Sequence, residues 1–175
     1  MATLGVDDFK SKLVGGGARA NLFKVTCNFP SLAGGNTELA SFMIKGASLP
    51  GSTIQAIEIP FRGRKLKIAG DRSFDVWSIT VINDTKMEIR NAFERWMNSM
   101  NAHVANTGLT NPRDYQTDMT VEQLDKAGNV SKKYTIRGAF PVGVAAIELN
   151  YDTNDQIEEF TVELQYQYWE SDTTT

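Results

Sequence analysis

Apolar and polar residues alternate from Asn21 onward, with Phe23, Val25, Cys27 and Phe29 on one side and Lys24, Thr26 and Asn28 on the other. A period of two predicts a half-buried strand, which Pro30 and the following "SLAGGN" bring to an end. A second strand is expected over 39–45. The Gly, Ser and Pro residues of "GASLPGS" then form a loop into "TIQAIEIPF", and beyond "RGR" another strand runs through 65–69. Residues 74–82 read as one strand, with Trp77, Ile79 and Val81 opposite Val76, Ser78, Thr80 and Ile82. Both faces are rather apolar, which puts this strand inside a sheet.

The period then changes. "DTKMEIRNAFERWMNSMNAHV" carries Ile89, Ala92, Phe93, Trp96, Met97 and Met100 at helical spacing, predicting one amphipathic helix over about 85–104. Thr85 with Glu88 three residues later fits a capping box, and "NTG" at 106–108 supplies the stop. Strands 115–124 and 130–138 flank "DKAGN", a hairpin with Gly in its turn. "PVGVAAIELNY" and the turn "DTND" lead to a last strand over 157–169. Its alternation turns Phe160, Val162, Leu164, Tyr166 and Tyr168 inward and Thr161, Glu163, Gln165 and Gln167 outward.

Seven or eight strands with one helix predict a mainly β fold, an antiparallel barrel or sandwich with the helix packed on it. Residues 1–19 read as a flexible arm. "VDDFKSKL" has room for one helical turn around Phe9 and Leu13 before "GGG" at 15–17 disconnects it. A single domain over 20–170 follows, then a short flexible tail over 171–175.

Composition narrows the function classes. The 175 residues carry 18 basic and 21 acidic side chains, a net charge of −3 and a pI near 5.2. Gripping nucleic acid needs a basic surface, so that is not the expected task. The one cysteine, Cys27, has no internal disulfide partner and reads as a buried, inert thiol. No basic N-terminal region precedes an apolar core, and no apolar run approaches the ~18 residues of a membrane span. The expectation is a chain made in a cytoplasm that does not insert into a bilayer.

Catalytic inventory is thin. The single histidine, His103, falls at the expected helix end, where a solvated, dipole-favoured residue is commoner than a base. No serine has a nucleophile-elbow setting, and Cys27 has no histidine near it in sequence. Asp152 and Asp155 with Glu158 and Glu159 superficially suggest calcium, but the glycine and ligand register of an EF-hand are missing. No catalytic, cofactor-binding or metal-ligating residue is assigned, and the chain is read as a non-enzyme.

Two stretches remain. "FRGRKLK" gathers Arg62, Arg64, Lys65 and Lys67. Phosphate binding and a solvated hairpin tip that protects a strand edge are both open, but an acidic chain without interleaved aromatics favours a loop seeking an acidic protein surface. "KIAGDRSFDVWSITVINDT" (67–85) places Asp71 and Asp75 around Arg72, which predicts mutual ion pairing. Gly70 permits a tight turn there, and Phe74 and Trp77 supply core area, so this is a structural anchor.

"AGDRSFDVWSITVINDT" (69–85), running into the amphipathic helix, resembles the tail tube protein of contractile-tailed bacteriophages. "ARANLFKV" (18–25), "IPFRGRKLKIAGDR" (59–72) and "IEEFTVELQYQYWE" (157–170) extend the resemblance, in order, over nearly the whole chain. The family is related to the tubes of tail-like bacteriocins and type VI secretion systems. The resemblance implies a late structural virion protein that self-assembles in the host bacterial cytoplasm. Homohexameric rings stack into a hollow tube inside a contractile sheath, and DNA passes through the lumen without specific binding. The implied partners are further copies of the chain, the tail sheath protein, and baseplate and tail terminator proteins.

Within that frame, Arg62, Arg64, Lys65 and Lys67 are expected at an inter-ring contact with acids of the next subunit, among Glu58, Asp152, Asp155 and Glu158. Bore-facing candidates are Thr161, Glu163, Gln165 and Gln167, or Asp118, Thr120 and Glu122 partly cancelled by Lys133 and Arg137. Lys86, Arg90, Glu94 and Arg95 are expected on the helix face toward the sheath. Two alternatives stay open: a tube subunit of a bacteriocin or secretion device, and a monomeric β-barrel ligand-binding module.

Overall fold

The computed structural model describes residues 5–174. The first element, α1 (Val6–Lys12), is longer than the one turn expected around Phe9 and Leu13, a short 3-10 turn follows it over Val14–Gly16, and none of the α1 side chains is buried. Residues 1–4 of the expected arm lie outside the described residues. β1 (Phe23–Thr26) follows with the expected alternation; Val25 and then Cys27 are fully buried.

Residues 39–45 are not a strand. They divide into α2 (Thr37–Met43) and β2 (Ile44–Ala47). Asn36 caps α2, its Oδ1 accepting from the Leu39 N–H at 3.1 Å. Ala40 is buried, and Leu39 and Met43 pack against the core. That three-to-four spacing and the Asn cap are the helix signals that the apolar run concealed.

β3 (Ser52–Phe61) and β4 (Arg64–Phe74) form a two-stranded sheet of their own. Both strands are longer than expected, and β4 ends before β5 (Trp77–Ile82), so 74–82 is not one strand. Gly70 is not at a turn. It sits within β4 beside the bulge at Ile54/Ala56, where a Cβ would meet the Gln55 carbonyl at 2.7 Å.

The helix α3 spans Glu88–Met100, shorter than the expected 85–104. Asp84 replaces the expected Thr85 cap. Its Oδ1 accepts from the Glu88 N–H at 2.9 Å and its Oδ2 from the Lys86 N–H at 3.2 Å, while Met87 takes a left-handed conformation at φ 54°. The stop also comes early, because the chain returns across the helix end. The Leu109 N–H bonds the Ser99 carbonyl, and Gly108 lies so close to the Met100 carbonyl that no side chain fits. Ile89, Ala92, Phe93 and Trp96 are buried as the spacing predicts.

A short helical turn, α4 (Pro112–Tyr115), takes the start of the expected 115–124 strand, leaving β6 (Thr117–Leu124). The "DKAGN" hairpin forms as read, with Asp125 Oδ1 accepting from the Ala127 and Asn129 N–H groups. β7 (Val130–Val144) runs well past the expected 138. β8 (Glu159–Gln165) and β9 (Tyr168–Ser171) replace the single 157–169 strand.

β7 explains that split. Its first part pairs β6 on one edge and β9 on the other, and Phe140–Val144 pairs β8. The change falls at Gly138, where φ is +64°. Opposite it the last strand breaks, and the alternation changes phase. Tyr168 is therefore exposed rather than inward, while Trp169 packs edge-on against Tyr134 at 5.3 Å. Beyond β9 the chain stays attached, with Lys132 reaching Asp172 at 2.7 Å and Thr173 at 2.8 Å; Thr175 lies outside the described residues.

The seven-stranded antiparallel sheet has the order β1-β6-β7-β8-β5-β2, with β9 beside β7. Val25, Met119, Val121 and Ile136 from one half and Trp77, Ile79, Val81, Phe160, Val162 and Leu164 from the other join α3 in one core. Among the described residues the sheet does not close into a barrel: its path ends at β1 and β2.

Candidate assembly surfaces

The β3–β4 hairpin stands clear of the body. Apart from Ser52, Gly70 and Phe74, its strand residues are exposed on both faces. Its turn, Arg62-Gly63, has positive φ at both positions (45° and 82°), the two-residue geometry that suits strand twist. The pairs Ile57↔Ile68 and Ile59↔Leu66 put an apolar stripe on one face; Glu58↔Lys67 and Pro60↔Lys65 lie on the other.

Glu58 is satisfied within its own hairpin, hydrogen-bonded to Lys65 at 2.5 Å and ion-paired with Lys67 at 3.6 Å. Two of the four basic residues are thus paired within the hairpin itself. Arg62 lies over the Phe61 ring at 5.4 Å, and among the described residues no acid pairs with Arg62 or Arg64.

The anchor at the hairpin root works differently from its expected form. Arg72 does not pair with Asp71 or Asp75; its Nη1 donates to Ser52 Oγ at 3.2 Å across the β3–β4 register. Antiparallel pairing sets Ile54 opposite Arg72, so the guanidinium reaches along the partner strand rather than to neighbouring acids. Trp77 is buried as expected, with its indole N–H on the Ser48 carbonyl at 2.8 Å. Phe74 packs on Tyr166 at 6.0 Å. Burial first, then the negative charge of Asp75, raises the Tyr166 phenol above its ordinary range. Trp169 adds a contact that the alternation pattern missed, its Nε1 donating to the Gly51 carbonyl at 3.1 Å.

The outward faces of the sheet differ in charge. Thr161, Glu163, Gln165 and Gln167 lie outside the core, beside Ser78 and Thr80 of β5. On the other half, Asp118 accepts from Arg137 at 2.6 Å and from the Gly138 N–H at 3.0 Å, and Glu170 takes the second side of Arg137 at 3.0 Å. Both acids hold the Arg137 proton more firmly than usual. Glu122 pairs with Lys133 at 3.4 Å. The expected cancellation by Lys133 and Arg137 is thus present within one chain.

Glu94 and Arg95 on α3 are exposed, as is Lys86 just ahead of it, but Arg90 is not. Its Nη1 donates to the Ala145 carbonyl at 3.1 Å, its Nε to Glu94 at 2.9 Å, and its guanidinium lies over Phe160 at 5.4 Å. Arg95 donates to the Ala33 carbonyl at 2.8 Å. Both arginines therefore fasten loops to the helix, a use that helical spacing alone does not reveal.

A family model described as phage tail tube protein matches residues 18–172. The chain is 33% identical over 154 residues to the tail tube protein gp19 of Enterobacteria phage T4, covering 87% of this chain and 91% of that one. It is 32% identical over 170 residues to the tail tube protein of Serratia phage KSP90, covering 95% of each. A chain from the anti-feeding prophage baseplate shares the fold with a TM-score of 0.65 at 16% identity, over 89% of this chain and 95% of its own. So does one from the sheath–tube complex of an extracellular contractile injection system, at 0.62 and 16%, over 97% and 98%. Because the match runs from ahead of β1 to beyond β9, the chain belongs to the phage tail tube protein family.

Proposed function

We propose that this chain is the structural subunit of a phage tail tube, forming hexameric rings that stack into a conduit for DNA inside a contractile sheath. The family match over 18–172 carries the reading. Two features of the fold support it. A sheet that ends at β1 and β2 leaves edges for identical neighbours to cover, and a hairpin exposed on both faces needs a partner. Residues 20–170 make the tube domain and residues 1–19 an arm outside it.

Arg62 and Arg64, with Lys65 and Lys67 behind them, meet the next ring. Lys86, Arg90, Glu94 and Arg95 lie on the face toward the sheath protein, and baseplate and terminator proteins hold the two tube ends. Assembly takes place in the host bacterial cytoplasm and the product is part of the virion tail. With a net charge of −3, the wall lets DNA pass rather than binding it. Phage tubes are favoured over injection devices because the curated relatives at 32–33% identity are phage proteins, whereas the device structures agree at 16%.

Electron microscopy of the purified chain over rising concentration tests this reading. Rings and tubes are the expected products. A chain that stays monomeric at every concentration, and on a baseplate template, overturns it.

A further inference from the structure

The hairpin and the 146–158 loop carry matching surfaces at opposite ends of one strand pair. Ile57, Ile59, Phe61, Leu66 and Ile68 are all large and exposed, from 44% to 68%, on a two-stranded ribbon with no core behind it. Apolar exposure on that scale marks a surface that is covered in use. At the far end, Leu149, Tyr151 and Ile157 are exposed beside a groove of about 500 Å³ that Ile147 and Ile157 help to line.

Charge agrees with shape. Arg62 and Arg64 end the hairpin, and among the described residues no acid pairs with either. From 148 to 159 the chain has five acids and no basic residue. Glu158 accepts from Asn83 at 3.0 Å and Glu159 from Lys45 at 2.5 Å. Glu148, Asp152 and Asp155 are left to face outward.

Position decides the mode of contact. The hairpin is rooted where Trp77 pairs with Leu164, and the loop enters β8 where Ile82 pairs with Glu159. A surface at one end that fits a different surface at the other is heterologous, and such contacts extend from copy to copy along an axis wherever the rotation between copies does not close them into a ring. We infer that the hairpin of one copy seats in the 146–158 groove of a second copy stacked along the β5–β8 direction. Its apolar stripe meets Leu149, Tyr151 and Ile157, and Arg62 and Arg64 meet Asp152 and Asp155. This rests on the tube reading and names the surface that receives each subunit's hairpin.

The test places cysteines in the full chain as R62C with D152C and treats assembled tubes with a short bis-maleimide. Each copy then carries both halves of the contact, so a ladder of covalent dimers, trimers and longer chains is expected, absent from either single variant. Tubes that yield no ladder overturn the inference and leave the tube reading standing; a wild-type chain that forms no tubes overturns both. Where the cysteine variant does not assemble, charge exchange decides. R62E/R64E is expected to raise the concentration at which tubes appear by about tenfold or more, and adding D152K/D155K to reverse most of that rise. A fourfold variant no better than R62E/R64E overturns the inference.

Discussion

Trp77 holds Ser48: the indole N–H of a fully buried side chain in β5 donates to a loop carbonyl at 2.8 Å. Trp169 does the same for Gly51 from β9. Between them the two indoles fix both ends of the 48–51 stretch from which the hairpin departs. The hairpin thus joins the core through its root alone, and the two indoles give the ribbon a defined point of departure.

Trp77→Ala is expected to lower unfolding free energy by about 3–5 kcal/mol, as for other large core truncations. Trp77→Phe keeps much of the ring but leaves the Ser48 carbonyl without its donor, a loss of about 1–3 kcal/mol. Urea unfolding of the three chains gives the order directly. A Trp77→Ala chain as stable as wild type would mean that the core does not rest on this residue.

The same stretch shows what a sequence can and cannot reveal. Burial of Trp77, Ile79 and Val81 was legible because alternation reports which face is wet. The α3 core face was legible for the same reason at a period of 3.6. Arg72 was misread because its partner, Ser52, lies 20 residues away in a register that only the folded hairpin sets. Tyr168 was misread because the phase of the last strand depends on the Gly138 kink in another strand. The half-burial of Arg90 and the hold of the exposed Arg95 on Ala33 were not legible because each uses a backbone carbonyl, which every residue type supplies. The Asn36 cap was in view, and with it the α2 error was avoidable.

Sheath docking has to be tested at residues that do no work inside the chain. Reversing Arg90 or Arg95 removes bonds to Ala145 or Ala33, so each variant is expected to lose about 1–3 kcal/mol of stability before any sheath is added. Lys86, with a side chain 79% exposed and only a 3.8 Å ion pair to Glu88, is the cleaner probe, whereas Glu94 holds Arg90. K86E is expected to stay within about 0.5 kcal/mol of wild type while weakening sheath assembly on preformed tubes, most clearly at low salt. Sheath that assembles on this variant as on wild type at every salt concentration counts against the outward placement of this face.

Cys27 gives the fold an alkaline limit. Burial pushes its thiol from an ordinary 9.0 up to about 12, because the core cannot solvate a thiolate. The unfolded thiol loses its proton first, so between those values the folded state binds more protons. This contribution is intact below about pH 9 and falls as pH rises toward about 12, with a slope of up to about 1.4 kcal/mol per pH unit. Tyr166, also raised, acts in the same sense. Urea unfolding from about pH 8 to about pH 11 should show a steeper decline for wild type than for Cys27→Ala, whatever the variant loses from its cavity. Parallel curves would show that the thiol is not buried in solution.

The bore can be located by adding charge. The half of the sheet bearing Thr161, Glu163, Gln165 and Gln167 has Ser78 and Thr80 beside them on β5, and no basic residue in either strand. The other half sets Lys24 opposite Glu122 and carries Lys133 and Arg137, so even with its acids paired it presents cations. A wall passing DNA without holding it is better made from the first. Glu163 and Gln167 are exposed, so E163K/Q167K is expected to leave tube formation unchanged. Lysines in the lumen attract phosphates by counterion release, so DNA ejection from particles carrying this variant should slow and should recover as salt is raised. Lysines at Thr120 and Glu122 should leave ejection as it was. Ejection slowed by the Thr120 and Glu122 variant, and not by E163K/Q167K, would move the bore to the β6 face.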